Sequence, residues 1–337
     1  MNHNFINIDG VNIGIDHPTY FIAEGGLNHN GDIKLAKKLI EEAKNAGANA
    51  IKFQTFKTEE FVKKSNKYFS LFKQAELTYE EFGELSDYAK QVGITFFSAP
   101  FDIESANYLK KIGIPAFKIA SSDLINKPLI RHIAKMNMPM IISTGLSIIR
   151  EVEDAVNYCL YEGNDKIGLL HCIAHYPTEP TEANLNAINT MRNKFQVPIG
   201  YSDNGESTLV DLVAVSLGAN IIEKHFTLDK TMAGPDHFFS IDPSGLKNLM
   251  TQIRDIEKIK GTGKKIPQPS ELEGRYSIRT SITANQNLIK DQVLSKEMLS
   301  VKRPAEGIEP KYLDQIIGKK LNKDINSDES IHWKDLI

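Results

Sequence analysis

Two lysines stand where the surrounding sequence is apolar. Lys52 lies in Ala50–Phe53 (AIKF) and Lys118 in Ala116–Ala120 (AFKIA). A lysine inside such a run is buried, and a buried ammonium is rare unless it is paired. Two arrangements satisfy it. In one, Lys52 and Lys118 form structural salt bridges with Glu24 or Glu223, which also sit in or beside apolar runs. In the other, they form a doubly cationic pocket for a small, multiply charged anion. Hydroxyls at Ser121 and Ser143 would add hydrogen bonds, and a ligand carrying both phosphate and carboxylate suits that pocket. Histidines add a second theme. His29, His171 and His225 each end or follow an apolar run, and imidazole is the commonest metal ligand. There is no HExxH motif and no paired-cysteine spacing, which argues against a structural zinc site. A sparsely ligated Mn2+ or Mg2+ that keeps several waters suits this donor set better.

The elements that must position these residues repeat along the chain. From about residue 19 to about residue 260, a short apolar, β-branched run is followed by a turn and then by a stretch of period 3.6. The runs are Tyr20–Ala23, Ala50–Phe53, Ile94–Phe97, Ala116–Ala120, Met140–Ser143, Ile167–Leu170, Val197–Gly200 and Ile221–Lys224. Between them Ile33–Ala46 and Glu151–Tyr161 read as helices, the first with Leu35, Leu39, Ile40 and Ala43 on one face. Gly47, Gly93, Gly113, Gly163 and Gly218 fall where a left-handed residue stops a helix. Such alternation means parallel strands with helical crossovers. Eight units in this length predict an α/β chain folded as a (β/α)8 barrel. A doubly wound open sheet is the alternative, but Gly25-Gly26-Leu27-Asn28 does not match its phosphate-binding fingerprint. In a barrel, polar residues at the C-terminal strand ends build the active site. Here those ends carry Glu24, Lys52 and Gln54, Ser98, Lys118 and Ser121, Ser143, His171, Ser202-Asp203-Asn204, and Glu223 with His225.

The flanks and the bulk composition set bounds. Phe5–Gly14 alternates around Asp9-Gly10, a strong hairpin signal, and an N-terminal β-hairpin over residues 1–18 is expected to plug the barrel floor. The barrel would span 19–262, followed by a Gly/Pro/Lys-rich linker over 263–276 and a small domain over 277–337. A core of roughly 60 residues is marginal alone, so that domain is expected to pack on something, such as a second subunit. The chain has 40 Lys+Arg against 43 Asp+Glu, a net charge of −3, and a 41% apolar fraction. These values exclude disorder and a nucleic-acid binder driven by bulk charge. Two cysteines, Cys159 and Cys172, exclude a disulfide-stapled secreted domain. No apolar stretch is long enough for a membrane span. Met1-Asn2-His3-Asn4 lacks the features of a signal peptide, so a cytoplasmic protein is expected.

Several stretches resemble the sialic acid synthase family, which condenses phosphoenolpyruvate with N-acetylated amino sugars. They are Ile22–Gly31 (IAEGGLNHNG), Ile51–Thr55 (IKFQT), Ser98–Asp102 (SAPFD), Phe117–Ser122 (FKIASS), Ile142–Gly145 (ISTG), Leu169–Cys172, Tyr176-Pro177-Thr178, Gly200–Asp203 (GYSD), Ile222–Asp229 (IEKHFTLD) and Gly234–His237 (GPDH). Val301–Pro304 (VKRP) and Gly307-Ile308 resemble the antifreeze-like (SAF) domain that these enzymes carry. The resemblance implies phosphoenolpyruvate on Lys52, Lys118, Ser121 and Ser143, with Gln54, Ser98 and Ser202 nearby. It implies Glu24 handling the C2 water or a sugar proton, and Tyr176 and Asp236 on the sugar. It also implies Arg303 reaching in from the tail of the other subunit of a domain-swapped homodimer.

Two departures stand out. The family usually has Ser-Asp-His where this chain has Ser202-Asp203-Asn204, so the metal-ligand pair becomes His225 and Asn204. An amide oxygen binds Mn2+ or Mg2+ more weakly than imidazole does. After Leu-His-Cys the family often has Thr-Asn or Thr-Thr, whereas here Ile173-Ala174-His175 follows, with His175 a candidate sugar contact. Ile222–Asp229 and Gly234–His237 look closer to the neuraminate and legionaminate branches than to the pseudaminate branch. A shikimate- or octulosonate-type condensing enzyme would usually lack residues 277–337. A non-catalytic carbohydrate-binding relative would have no reason to keep Lys52, Lys118, Glu24 and His225.

Overall fold

Alternating apolar runs and amphipathic helices close into a barrel. The computed structural model describes residues 5–337, so the first four residues of the expected hairpin segment lie outside the described residues. In chain order the strands are β1 (Phe5–Ile8), β2 (Val11–Gly14), β3 (Tyr20–Gly26), β4 (Ala50–Thr55), β5 (Thr95–Pro100), β6 (Phe117–Ile119), β7 (Met140–Ser143), β8 (Ile167–Cys172), β9 (Ile199–Asp203), β10 (Ile221–His225), β11 (Ser281–Ala284) and β12 (Leu299–Lys302). Strands β3 to β10 form a closed barrel in which β10 pairs with both β3 and β9. All eight runs read from the sequence are strands of this barrel.

Local chemistry explains the crossovers. The helix Ile33–Asn45 begins at Asp32, whose carboxylate accepts from Lys34 N at 2.7 Å. It buries Ala36, Leu39, Ile40 and Ala43, while Leu35 stays half-buried at the edge of the stripe. The helix Tyr79–Val92 opens with a capping box from Thr78 and Glu81 and stops at Gly93, whose φ of 78° places it in the left-handed region. The four other helix-stopping glycines also have positive φ.

The hairpin closes the floor. Asp9 and Gly10 both have positive φ, 50° and 80°, as a type I′ turn needs. Ile6, Ile8 and Ile13 join the barrel core. Asp9 accepts from Thr95 Oγ1 at 3.0 Å, at the start of β5. The opposite end, where the strands finish, is left for chemistry.

The chain divides into two compact units, the first ending at Gly261 and the second beginning at Thr262. Within the second, Leu272–Ser277 is helical although all but its last residue falls in the segment read as linker, 263–276. Strands β11 and β12 pair antiparallel, and Ile282, Leu288, Leu294, Ile308, Ile316 and Ile331 give this unit its own core. Among the described residues no helix is long and apolar enough to cross a membrane.

Candidate active site

Pleating and register decide which strand residues meet. In a parallel pair, residues in register share a face, and that face alternates along each strand. Glu24 pairs with Lys52 and also with His225, Glu223 pairs with Ser202, and Ser202 pairs with Cys172. These residues therefore share the inner face at the C-terminal end of the barrel. Lys118 and Ser143 reach the same space, joined by a 2.6 Å hydrogen bond from Nζ to Oγ.

The two lysines meet two carboxylates. Lys52 Nζ lies 2.9 Å from Glu24 and 3.4 Å from Glu223, and Lys118 Nζ lies 3.5 Å from Glu223. All four side chains are buried. Gln54 donates to Glu24 at 3.1 Å and Ser202 donates to Glu223 at 3.2 Å. Ser121 accepts from Gly145 N at 3.0 Å, beside Ser143. Of the two sequence readings, the structure shows the salt bridges: both lysines are paired with carboxylates in one buried array.

Burial splits the acidities of these groups. Desolvation, reinforced by the like charge of Lys52, holds the Lys118 ammonium below its ordinary pKa, with Glu223 opposing. Burial would lower Lys52 too, but Glu223 and Glu24 outweigh it and raise this lysine. Desolvation raises Glu24 despite Lys52. For Glu223, desolvation is outweighed by Lys118 and Lys52, and its carboxyl falls. Two carboxylates pushed in opposite directions are a common arrangement for dividing acid and base roles.

A second group lies beside the array. His225 is buried, and its Nδ1 makes no hydrogen bond and lies 3.8 Å from Asp236 Oδ2. Tyr176 and Phe239 wall the imidazole edge-on, with ring centroids 5.8 and 5.1 Å away. Gly26 leaves open a space that a Cβ would fill: that atom would sit 3.3 Å from Glu24 Oε1 and 3.6 Å from both Asp236 Oδ2 and His225 Cε1. Asn204 donates from its amide nitrogen to Ile173 O at 2.8 Å, and its amide oxygen, an acceptor, makes no hydrogen bond among the described residues. Among the described residues, no three His, Cys, Asp or Glu side chains converge as a metal cage.

Several residues named from the sequence fall elsewhere. Ser98 pairs with Phe53, on the face opposite Lys52, and its hydroxyl bonds Phe53 O and Thr55 Oγ1, each at 2.8 Å. The array therefore excludes it, and Ala99 shares the inner face instead. His171 pairs with Tyr201 on the outer face and bonds Ala183 O at 2.8 Å. His29 packs against the Phe53 ring, and burial lowers its pKa to about 4, so it stays neutral. His175 is exposed on the rim, where its carbonyl accepts from Thr178. Arg303 belongs to the second unit, where it lines a cleft of about 840 Å³ with Arg275, Arg279 and Lys311. Glu223, read from the sequence as a strand-end residue and a salt-bridge partner for the lysines, was given no role of its own there, although it lies two residues before His225 on β10 and so on the same face.

Residues 39–265 match the model of the NeuB family, and residues 279–337 match that of the SAF domain. The chain belongs to the NeuB family. Among NeuB relatives it is 48% identical over 332 residues to an uncharacterized protein of Methanocaldococcus jannaschii, covering 98% of each chain. It is 40% identical to the N,N'-diacetyllegionaminic acid synthase of Legionella pneumophila, over 94% of each chain. The crystal structure of an N-acetylneuraminic acid (sialic acid) synthetase from Leptospira borgpetersenii in complex with citrate superimposes with a TM-score of 0.77 at 40% identity. It covers 81% of this chain and 96% of that one.

Proposed function

We propose that this NeuB-family protein condenses phosphoenolpyruvate with an N-acetylated amino sugar, giving a nine-carbon 2-keto-3-deoxy acid and phosphate. The observation that carries the reading is the inner-face array of Lys52, Lys118, Glu24 and Glu223 at the C-terminal end of the barrel. Two ammonium groups with Ser143, Ser121 and Gln54 suit a ligand bearing phosphate and carboxylate. In the array the two carboxylates balance the two lysines. A bound trianion would repel those carboxylates, so one of them must take up a proton or turn away. Glu24, already raised by burial, is the group readiest to hold that proton and to exchange it with the C2 water or a sugar hydroxyl.

The bond changes follow. C3 of phosphoenolpyruvate attacks the aldehyde carbon of the open-chain sugar, and the aldehyde oxygen takes a proton. Water adds at C2 and releases a proton. The C–O bond to phosphate then breaks, leaving the C2 ketone. Asp236 and Tyr176 would orient the sugar beside His225. The donors fit a hard divalent ion, Mn2+ or Mg2+, held by the free His225 Nδ1 and the Asn204 amide oxygen, with water and substrate completing the shell. Such an ion would supply Lewis-acid polarisation of the aldehyde. Arg303 would approach the N-acyl group from the partner subunit of a domain-swapped homodimer.

The diacetyllegionaminic acid synthase relative favours a 2,4-diacetamido-6-deoxyhexose over N-acetylmannosamine as the acceptor. The test is a panel of both sugars with phosphoenolpyruvate and Mn2+, scored by product mass. A nine-carbon acid from the diacetamido sugar supports the reading, and no phosphate release with any sugar overturns it.

A further inference from the structure

A second buried charge cluster lies on the outer face of the barrel, behind the site, and the proposed reaction does not use it. Lys224 is 1% exposed. It pairs with Asp203, its register partner on β9, lies 3.3 Å from Asp211 on the helix Thr208–Ser216, and donates to Gly205 O at 2.7 Å. A well-packed apolar group of similar volume would hold barrel and helix together at least as well as a buried ion cluster does. What the ammonium adds is geometry, because its partners sit where β9 ends and its loop begins.

That loop is joined to its neighbour. Asp203 accepts from Gly205 N at 2.9 Å. Asn204 donates to Ile173 O at 2.8 Å and accepts from Thr178 N at 3.0 Å. A Cβ on Gly205 would lie 2.7 Å from Thr178 O, so only glycine permits this approach. The joined segment, residues 173–178, carries Tyr176 beside His225. Ser202, by contrast, is held in the ladder from both sides, by Cys172 and Glu223. Lys52, Lys118 and Ser143 stand on β4, β6 and β7 and make no bond to Lys224, Asp203 or Asp211; Glu223, which pairs with both lysines, is held on β10 by its ladder partners on β3 and β9.

We propose that Lys224 is a positioning residue: through Asp203 and Gly205 it fixes Asn204, and through Asn204 it fixes the 173–178 segment, setting the sugar side of the site without touching the anion cradle. The assignment of a sugar side rests on the proposed function, so the first test needs no substrate. Hydrogen exchange of the full chain is compared for the wild type, Lys224→Met and the near-isosteric Asp211→Asn. The second variant keeps the test sharp if the first fails to fold. Exchange is expected to rise by about tenfold or more in both 203–206 and 173–178, while β4 and β6 stay protected. Loss of protection confined to 203–211, or spread evenly over the barrel, overturns the proposal. The second test is kinetic. In Asp211→Asn, kcat/KM for the sugar is expected to fall roughly ten- to a hundredfold, with the Kd of phosphoenolpyruvate alone unchanged. Parallel shifts in both overturn the proposal, whereas a wild type that releases no phosphate while the exchange result holds overturns only the proposed function.

Discussion

Replacing Lys118 with methionine tests the anion cradle. The substitution keeps an unbranched, apolar side chain in the same buried position and deletes the charge. Lys118 donates to Ser143 at 2.6 Å and to Ile119 O at 3.1 Å and lies 3.5 Å from Glu223. Truncating one partner of a buried, hydrogen-bonded charge pair across an interface costs about 2–5 kcal/mol. At ~1.4 kcal/mol per tenfold, this is a rise of roughly 30- to 4,000-fold in the Kd of phosphoenolpyruvate. Folding is expected to suffer less, because Glu223 keeps Lys52 at 3.4 Å and Ser202 at 3.2 Å. Titration calorimetry with phosphoenolpyruvate alone, paired with a thermal melt of the same sample, separates the two effects. An intact melt with a Kd within about fivefold of wild type would refute the reasoning, since that is less than the smallest cost of deleting a paired buried charge.

Other outcomes follow from the same geometry. The bound anion favours protonated Lys118, whose pKa burial holds below the ordinary lysine value. Affinity is therefore full on the acid side of that pKa and falls as pH rises through it; a Kd that stays flat up to the ordinary lysine range would contradict this. Gly26→Ala puts a methyl group 3.3 Å from Glu24 Oε1 and beside Asp236 and His225, at a φ of 46°. Sugar turnover and Mn2+ binding, followed by calorimetry, are expected to drop by about tenfold or more, with phosphoenolpyruvate binding retained. Gly200→Ala would place its Cβ 2.3 Å from Ile221 O, so a loss of roughly 3 kcal/mol is expected in denaturant unfolding. If Arg303 serves the partner's site, mixing Arg303→Ala with Lys118→Met and allowing subunit exchange restores about a quarter of the wild-type rate, because half the dimers carry one intact site in two. No recovery would count against the swap.

The barrel was legible because each strand is an apolar run closed by a turn and each helix keeps one apolar stripe, so the period switches eight times. The position of the site was legible for the same reason: strand ends in a barrel converge. Facing was harder. Ser98 was read into the site because it ends a run, yet register with Phe53 turns it outward, one residue from the inward Ala99. Lys52 lies on β4, so alternation counted from it says nothing of β5, and only the register between the two strands settles which way Ser98 faces. His171 and His29 failed likewise, the first on the outer face and the second against Phe53. The cluster around Lys224 was not legible at all, because Asp211 lies on a helix and only folding brings it to the outer face of β10. For Lys52 and Lys118 the structure shows the pairing with Glu24 and Glu223, which residue types alone do not distinguish from an unpaired cationic pocket.

The proposed condensation breaks the C–O bond of phosphoenolpyruvate. The most direct measurement uses phosphoenolpyruvate labelled with 18O in the bridging oxygen, together with a 2,4-diacetamido-6-deoxyhexose and Mn2+, with product and phosphate both analysed by mass spectrometry. A nine-carbon 2-keto-3-deoxy acid formed in equal amount with phosphate, with the label in the phosphate, is the expected result. A label retained in the organic product, or no product from any amino sugar, would contradict it.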